Sequence, residues 1–100
     1  MKFLYLPLKR EPFEVTLSGE KKIEYRRKSA WIESRVLNKN YDAIKFTLGY
    51  GKEKPWMLVQ YLGWEEVKSN TFSFSNGLKV IVNDGDYALK LGNILETGNI

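Results

Sequence analysis

The chain has 100 residues, 43% of them hydrophobic and 14% aromatic, and carries a formal net charge of +4. That suits one compact domain with a real core and leaves no room for a second. Neither cysteine nor histidine occurs, which excludes disulfide stapling, thiolate and imidazole chemistry, the common zinc sites, and the Ser-His-Asp and Cys-His nucleophile systems. Catalysis, if any, must use Lys, Glu, Asp, Tyr, Ser or Thr, and we expect neither a metal nor a cofactor.

Taken in order, Met1 to Leu8 alternates Phe3 and Tyr5 with Leu4, Leu6 and Leu8. The pattern predicts a strand buried on both sides, with Pro7 implying an edge position or a bend. The opening run is too short for the apolar region of a signal peptide, and no stretch approaches the roughly 18 apolar residues of a membrane span. We therefore expect a soluble, cytoplasmic protein with no membrane partner. Pro12 in a first turn, Phe13 and Leu17 four apart, and a Ser18-Gly19 stop predict a helix over Glu11 to Ser18.

From Lys22 to Arg27 the residues alternate again, so Ile23 and Tyr25 are expected in the core, with Lys22, Glu24 and Arg26 facing outward or into a cleft. Between Lys21 and Lys28 there are five cations and one carboxylate, Glu24, a local charge of 5 − 1 = +4 equal to that of the whole chain. Such a basic strand points to a polyanion or a nucleobase-containing ligand. Ser29 is placed to cap a helix over Ala30 to Leu37, with Trp31 and Arg35, and Ile32 and Val36, forming rows. Strands follow at Tyr41 to Leu48 and Trp56 to Gly63, the latter continuing or bending over Trp64 to Lys68. A hairpin over Thr71 to Ser75 and Leu78 to Val82 turns at Ser75-Asn76-Gly77. A last strand starts at Tyr87, with an extension after Leu91 and an unpaired end. About six strands and two short helices define an α+β fold, a small mixed β-barrel that is closed or nearly so.

Gly19-x-Lys21-x-x-Glu24-x-Arg26, set between a first strand with its helix and a second strand, resembles the GxKxxExR signature of the ASCH domain, a PUA-like small barrel. The likeness covers LPLKREPFEVTLSGEKKIEYR, and Tyr41 to Ile44 with Gly49-Tyr50 resembles small, often phage-encoded members. It implies a single ASCH/PUA-like domain over residues 1–100 and an RNA- or nucleotide-binding cleft beside the first helix. In that cleft Gly19 would turn the backbone inward, Lys21 would be a mobile cation at the mouth, and Arg26 a planar fork beside the acceptor Glu24. Arg27 and Lys28 would add phosphate affinity, and Tyr50, in the glycine-flanked loop Gly49-Tyr50-Gly51, would stack on a base. RNA or a modified nucleotide is the expected partner, with DNA the second candidate.

The remaining aromatics, Trp31, Trp56, Trp64, Tyr41, Phe46, Phe72 and Phe74, are expected in the core, with Trp56 the next candidate for stacking. Two other functions stay open. Some small ASCH members hydrolyse acetylated cytidine with a lysine, a threonine and a glutamate. Lys21 matches that lysine, whereas Glu24 stands in the threonine's place, so a hydrolase of a modified nucleoside or RNA would use Lys21 and Glu24 as its working pair. The third reading is a phage-type interaction module whose basic strand meets an acidic protein.

Overall fold

The period-two patterning does produce strands. The computed structural model describes residues 1–100 and contains seven strands and two helices. They are β1 (Phe3–Leu8), α1 (Arg10–Leu17), β2 (Ile23–Arg26), α2 (Ala30–Val36), β3 (Ala43–Leu48), β4 (Trp56–Glu66), β5 (Asn70–Ser73), β6 (Lys79–Val82) and β7 (Tyr87–Gly98). The fold is α+β and barrel-like, as expected, and each of its seven strands falls on a segment read as a strand from the sequence. Five strands form a curled half-barrel in the order β1-β3-β4-β7-β2, and β5-β6 form a small second sheet. No helix is long and apolar enough to cross a membrane.

Leu4, Leu6 and Leu8 of β1 meet Ile44, Phe46, Met57 and Val59 on the inner face, where Phe13 of α1 and Ile32 and Val36 of α2 cover them. Each such side chain contributes about 1.5–3 kcal/mol by leaving water. Ser29 caps α2 as expected, its Oγ accepting from the Ile32 N–H. The half-barrel curls because β4 and β7 shift register between Leu58 and Trp64, and Gly63 takes the positive φ of 108° there. Beyond Leu91 the last strand keeps its ladder with β4 as far as Gly98, opposite Trp56, so only Asn99 and Ile100 follow it.

Three expectations about burial change. Tyr5, expected inside, is 63% exposed, because no layer covers the outer face of the edge strand β1. Of the aromatics expected in the core, only Phe46 is fully buried; Tyr41 and Trp64 are half-buried against the core cluster, Trp56, Phe72 and Phe74 are half-buried outside it, and Trp31 is 48% exposed. Most consequential is β2. Its register sets Glu24 opposite Leu89 and Arg26 opposite Tyr87, both buried core residues, so the Glu24/Arg26 face is the inner one. Ile23 and Tyr25 turn to the other side, where Phe72 of β5 stacks on Tyr25 at 4.9 Å and 13°.

The β5-β6 hairpin is also tied down by Glu20, whose carboxylate accepts from the Ser75 N–H at 2.9 Å and from its Oγ at 2.5 Å. These bonds hold the Glu20 carboxyl below its ordinary value of 4.5. Because the folded value is the lower one, the contact stabilises the docked hairpin above the unfolded value and is lost as pH falls through the folded one. The protection factor of the Ser75 amide is therefore expected to fall below about pH 4.5, while β3 amides keep theirs. Hydrogen exchange giving Ser75 the same protection at neutral and acid pH would remove Glu20 as the tie.

Candidate functional site

The site begins where α1 ends. Gly19 takes a φ of 86°, and its N–H donates to Thr16 O at 3.1 Å, a left-handed stop that a side chain would strain. The chain doubles back, the Lys21 N–H donates to Val15 O at 3.0 Å, and the Lys21 side chain ends up beneath the surface. Its Nζ lies 2.5 Å from Glu24 Oε1, while Arg26 Nε donates to Glu24 Oε2 at 2.9 Å. One buried carboxylate thus holds a cation on each oxygen. Lys21 and Glu24 are 3% and 5% exposed, so neither is a mobile group at a cleft mouth, contrary to expectation for Lys21.

Arg26 is the member of this triad that reaches the surface. Its Nη2 donates to Pro7 O at 3.2 Å, and Pro7 belongs to β1, the opposite edge of the sheet from β2. A guanidinium therefore bridges the two edges that a closed barrel would pair through backbone. Pro7 suits this place: Lys2 O and Leu8 O accept from Asp42 and Gly49 N–H on the β3 side, so the main chain of Phe3, Tyr5 and Pro7 faces the open edge, where a missing N–H breaks no ladder. The guanidinium has five N–H donors; with Nε and one on Nη2 engaged, 5 − 2 = 3 remain for a ligand.

Those donors border a cleft of about 500 Å³ whose lining includes Arg26, Tyr5, Trp31, Thr47 and Tyr50, a size usual for small-ligand sites. Tyr50 is 84% exposed, on the loop between Gly49 and Gly51, whose positive φ values bend it over the cleft's edge. A second hollow of about 810 Å³ shares Pro7, Arg26, Gly49 and Tyr50 with the first and adds Lys9, Arg10 and Lys54. No aspartate or glutamate lines either one.

The structure thus divides the expected site residues. Arg26 and Tyr50 meet in the cleft. Lys21 and Glu24 lie buried behind Arg26, where Glu24 holds Arg26 and Lys21 pairs with the other oxygen of Glu24. Gly19 shapes the turn and lines neither hollow. Arg27 and Lys28 are exposed beyond β2 and line neither hollow; the Lys28 N–H is anchored on Asp86 at 3.2 Å. Trp56 lies outside the cleft, with Lys45 Nζ 4.3 Å from its ring centroid. Residues not singled out from the sequence now join: Tyr5, Trp31, Lys9, Arg10 and Lys54. The alternation in β1 that sends three leucines inward was the signal for Tyr5, and the row containing Trp31 and Arg35, opposite Ile32 and Val36, was the signal for Trp31.

Chemically, this arrangement can hold an anion or a planar base edge on Arg26 and stack a flat ring on exposed aromatics. Neither Glu24 oxygen is free of a cation, and Lys21 lines neither hollow. No protein-family model, curated protein or solved structure matches the chain.

Proposed function

We propose that this protein binds RNA or a nucleotide in the cleft between β1, Arg26 of β2, the start of α2 and the Tyr50 loop. One observation carries it: a guanidinium locked by Glu24 and Pro7 O has three N–H groups to spare, beside a cleft rimmed by the exposed rings of Tyr5, Trp31 and Tyr50 and free of carboxylates. Arg26 recognises a phosphate or a base edge, and the rings accept a base. Lys9, Arg10 and Lys54 extend the positive lining towards the first helix. The likeness of Gly19 to Arg26 to the ASCH signature points the same way, and we place the activity in the cytoplasm, where such ligands are met.

Titration with nucleoside monophosphates and short RNAs, followed by tryptophan fluorescence, tests this. Tyr50→Ala is expected to weaken binding by the worth of one base–aromatic stack, about 1–3 kcal/mol. Its unfolding midpoint should stay within error of wild type, since the ring is 84% exposed. If neither nucleotides nor RNA bind saturably, the proposal fails and an acidic protein partner becomes the reading to pursue.

A further inference from the structure

Resting on that reading, we infer that the cleft is the middle of a longer groove that takes single-stranded RNA along the open edge of β1. A third hollow, of about 320 Å³, shares Tyr5 and Trp31 with the central cleft and adds Phe3, Tyr41 and Arg35. Since the central cleft also shares Pro7, Arg26, Gly49 and Tyr50 with the hollow at α1, the three adjoin one another. They follow the six residues of β1, about 20 Å at the rise of a strand. Bases separated by protein rings need about twice the 3.4 Å stacked step, so the groove has room for about three nucleotides.

Charge decides what kind of chain lies there. Lys9, Arg10, Arg26, Arg35 and Lys54 line the three hollows, and no aspartate or glutamate does, although the chain has 12 of them. Arg10 alone of the five has a surface carboxylate near it outside the sheet, Glu14 at 3.9 Å, a pairing of little worth. The two ends differ. Towards α2 the groove is aromatic, with the Arg35 guanidinium 5.2 Å from the Trp31 ring centroid; towards α1 it is basic. Bases therefore sit by Tyr5 and Trp31, and phosphates by Arg35 at that end and by Lys9, Arg10 and Lys54 at the other.

An extended peptide could add to an open strand edge, but here the Arg26 side chain crosses that edge to Pro7 O, and Pro7 offers no N–H. The exposed main chain of Phe3 and Tyr5 instead suits a ribose 2′-hydroxyl, which both donates and accepts. That commits the groove to RNA.

The test compares uridine monophosphate, di-, tetra- and octauridylate, octathymidylate, and an octaglutamate peptide, each by calorimetry with the full chain at two salt concentrations. Affinity is expected to rise at least tenfold from the monophosphate to the tetramer and then level off, with a steeper salt dependence for the tetramer. Arg35→Gln, on an exposed face of α2, should weaken the tetramer at least threefold more than the monophosphate and flatten the tetramer's log–log salt slope by about 0.7, the single-strand value for one phosphate contact. Equal affinity for monophosphate and tetramer, or equal weakening of both by Arg35→Gln, overturns the groove while leaving the nucleotide cleft standing. Octathymidylate or octaglutamate binding as tightly as octauridylate overturns the assignment to RNA. Absence of all binding overturns the cleft and the groove together.

Discussion

Glu24→Ala is expected to cost about 3–5 kcal/mol of folding stability, the usual penalty for removing one partner of a buried ion pair. The reason is asymmetry. The Lys21 ammonium, 3% exposed, would be left without a counter-charge and would either stay buried at that cost or drag the turn after α1 open to reach water. Domains of this size have about 5–15 kcal/mol in all, so a large part of the total is at stake. Lys21→Met should cost less, because Glu24 would keep Arg26 on its other oxygen at 2.9 Å and the methionine would fill much the same space. Urea unfolding of the three proteins checks the order. If Lys21→Met falls as far as Glu24→Ala, Arg26 does not share the carboxylate's charge and the buried triad is a simple pair.

Arg26→Lys is expected to weaken nucleotide binding by about 1.5–3 kcal/mol, the worth of one charged hydrogen bond, despite keeping the charge. Arg26 makes two fixed contacts, to Glu24 Oε2 and Pro7 O, and still has donors over. An ammonium has no planar fork, so it cannot hold both sheet edges and present an oriented pair of donors to a ligand. The loss should appear as weaker binding with little change in salt slope, whereas losing a peripheral cation such as Lys54 should reduce the slope as well. Calorimetry at two salt concentrations separates these. Unchanged affinity in Arg26→Lys would mean the ligand senses charge alone, and the locked guanidinium would lose its role.

Much of this was readable in the chain. The leucine alternation of β1, the Ser29 cap, the Ile32/Val36 row and the hairpin at Ser75 to Gly77 are local patterns, and local patterns survive into the fold because backbone and patterning energies agree there. The spacing of Glu24 and Arg26 likewise put them on one face of a strand. Which face met the core was not readable, since a period of two says that residues share a side without saying what covers it. The placement of α1 and α2 over the inner face, and of Phe72 over Tyr25 on the outer, made Glu24 and Lys21 buried supports rather than a cleft lining.

Sequence alone therefore indicated the element types, the α+β class and the shared strand face of Glu24 and Arg26, all consequences of short-range spacing and patterning; that the two pair is a finding of the structure. Tertiary structure decided where the cations and rings gather. The parallel pairing of β1 with β3, Leu8 opposite Leu48, brings Lys9 and Arg10 beside Tyr50 and Lys54. The unpaired gap between β1 and β2 gives Arg26 an opening to cross. Neither pairing nor gap has a local signature, because each depends on which distant strands bury each other's backbone.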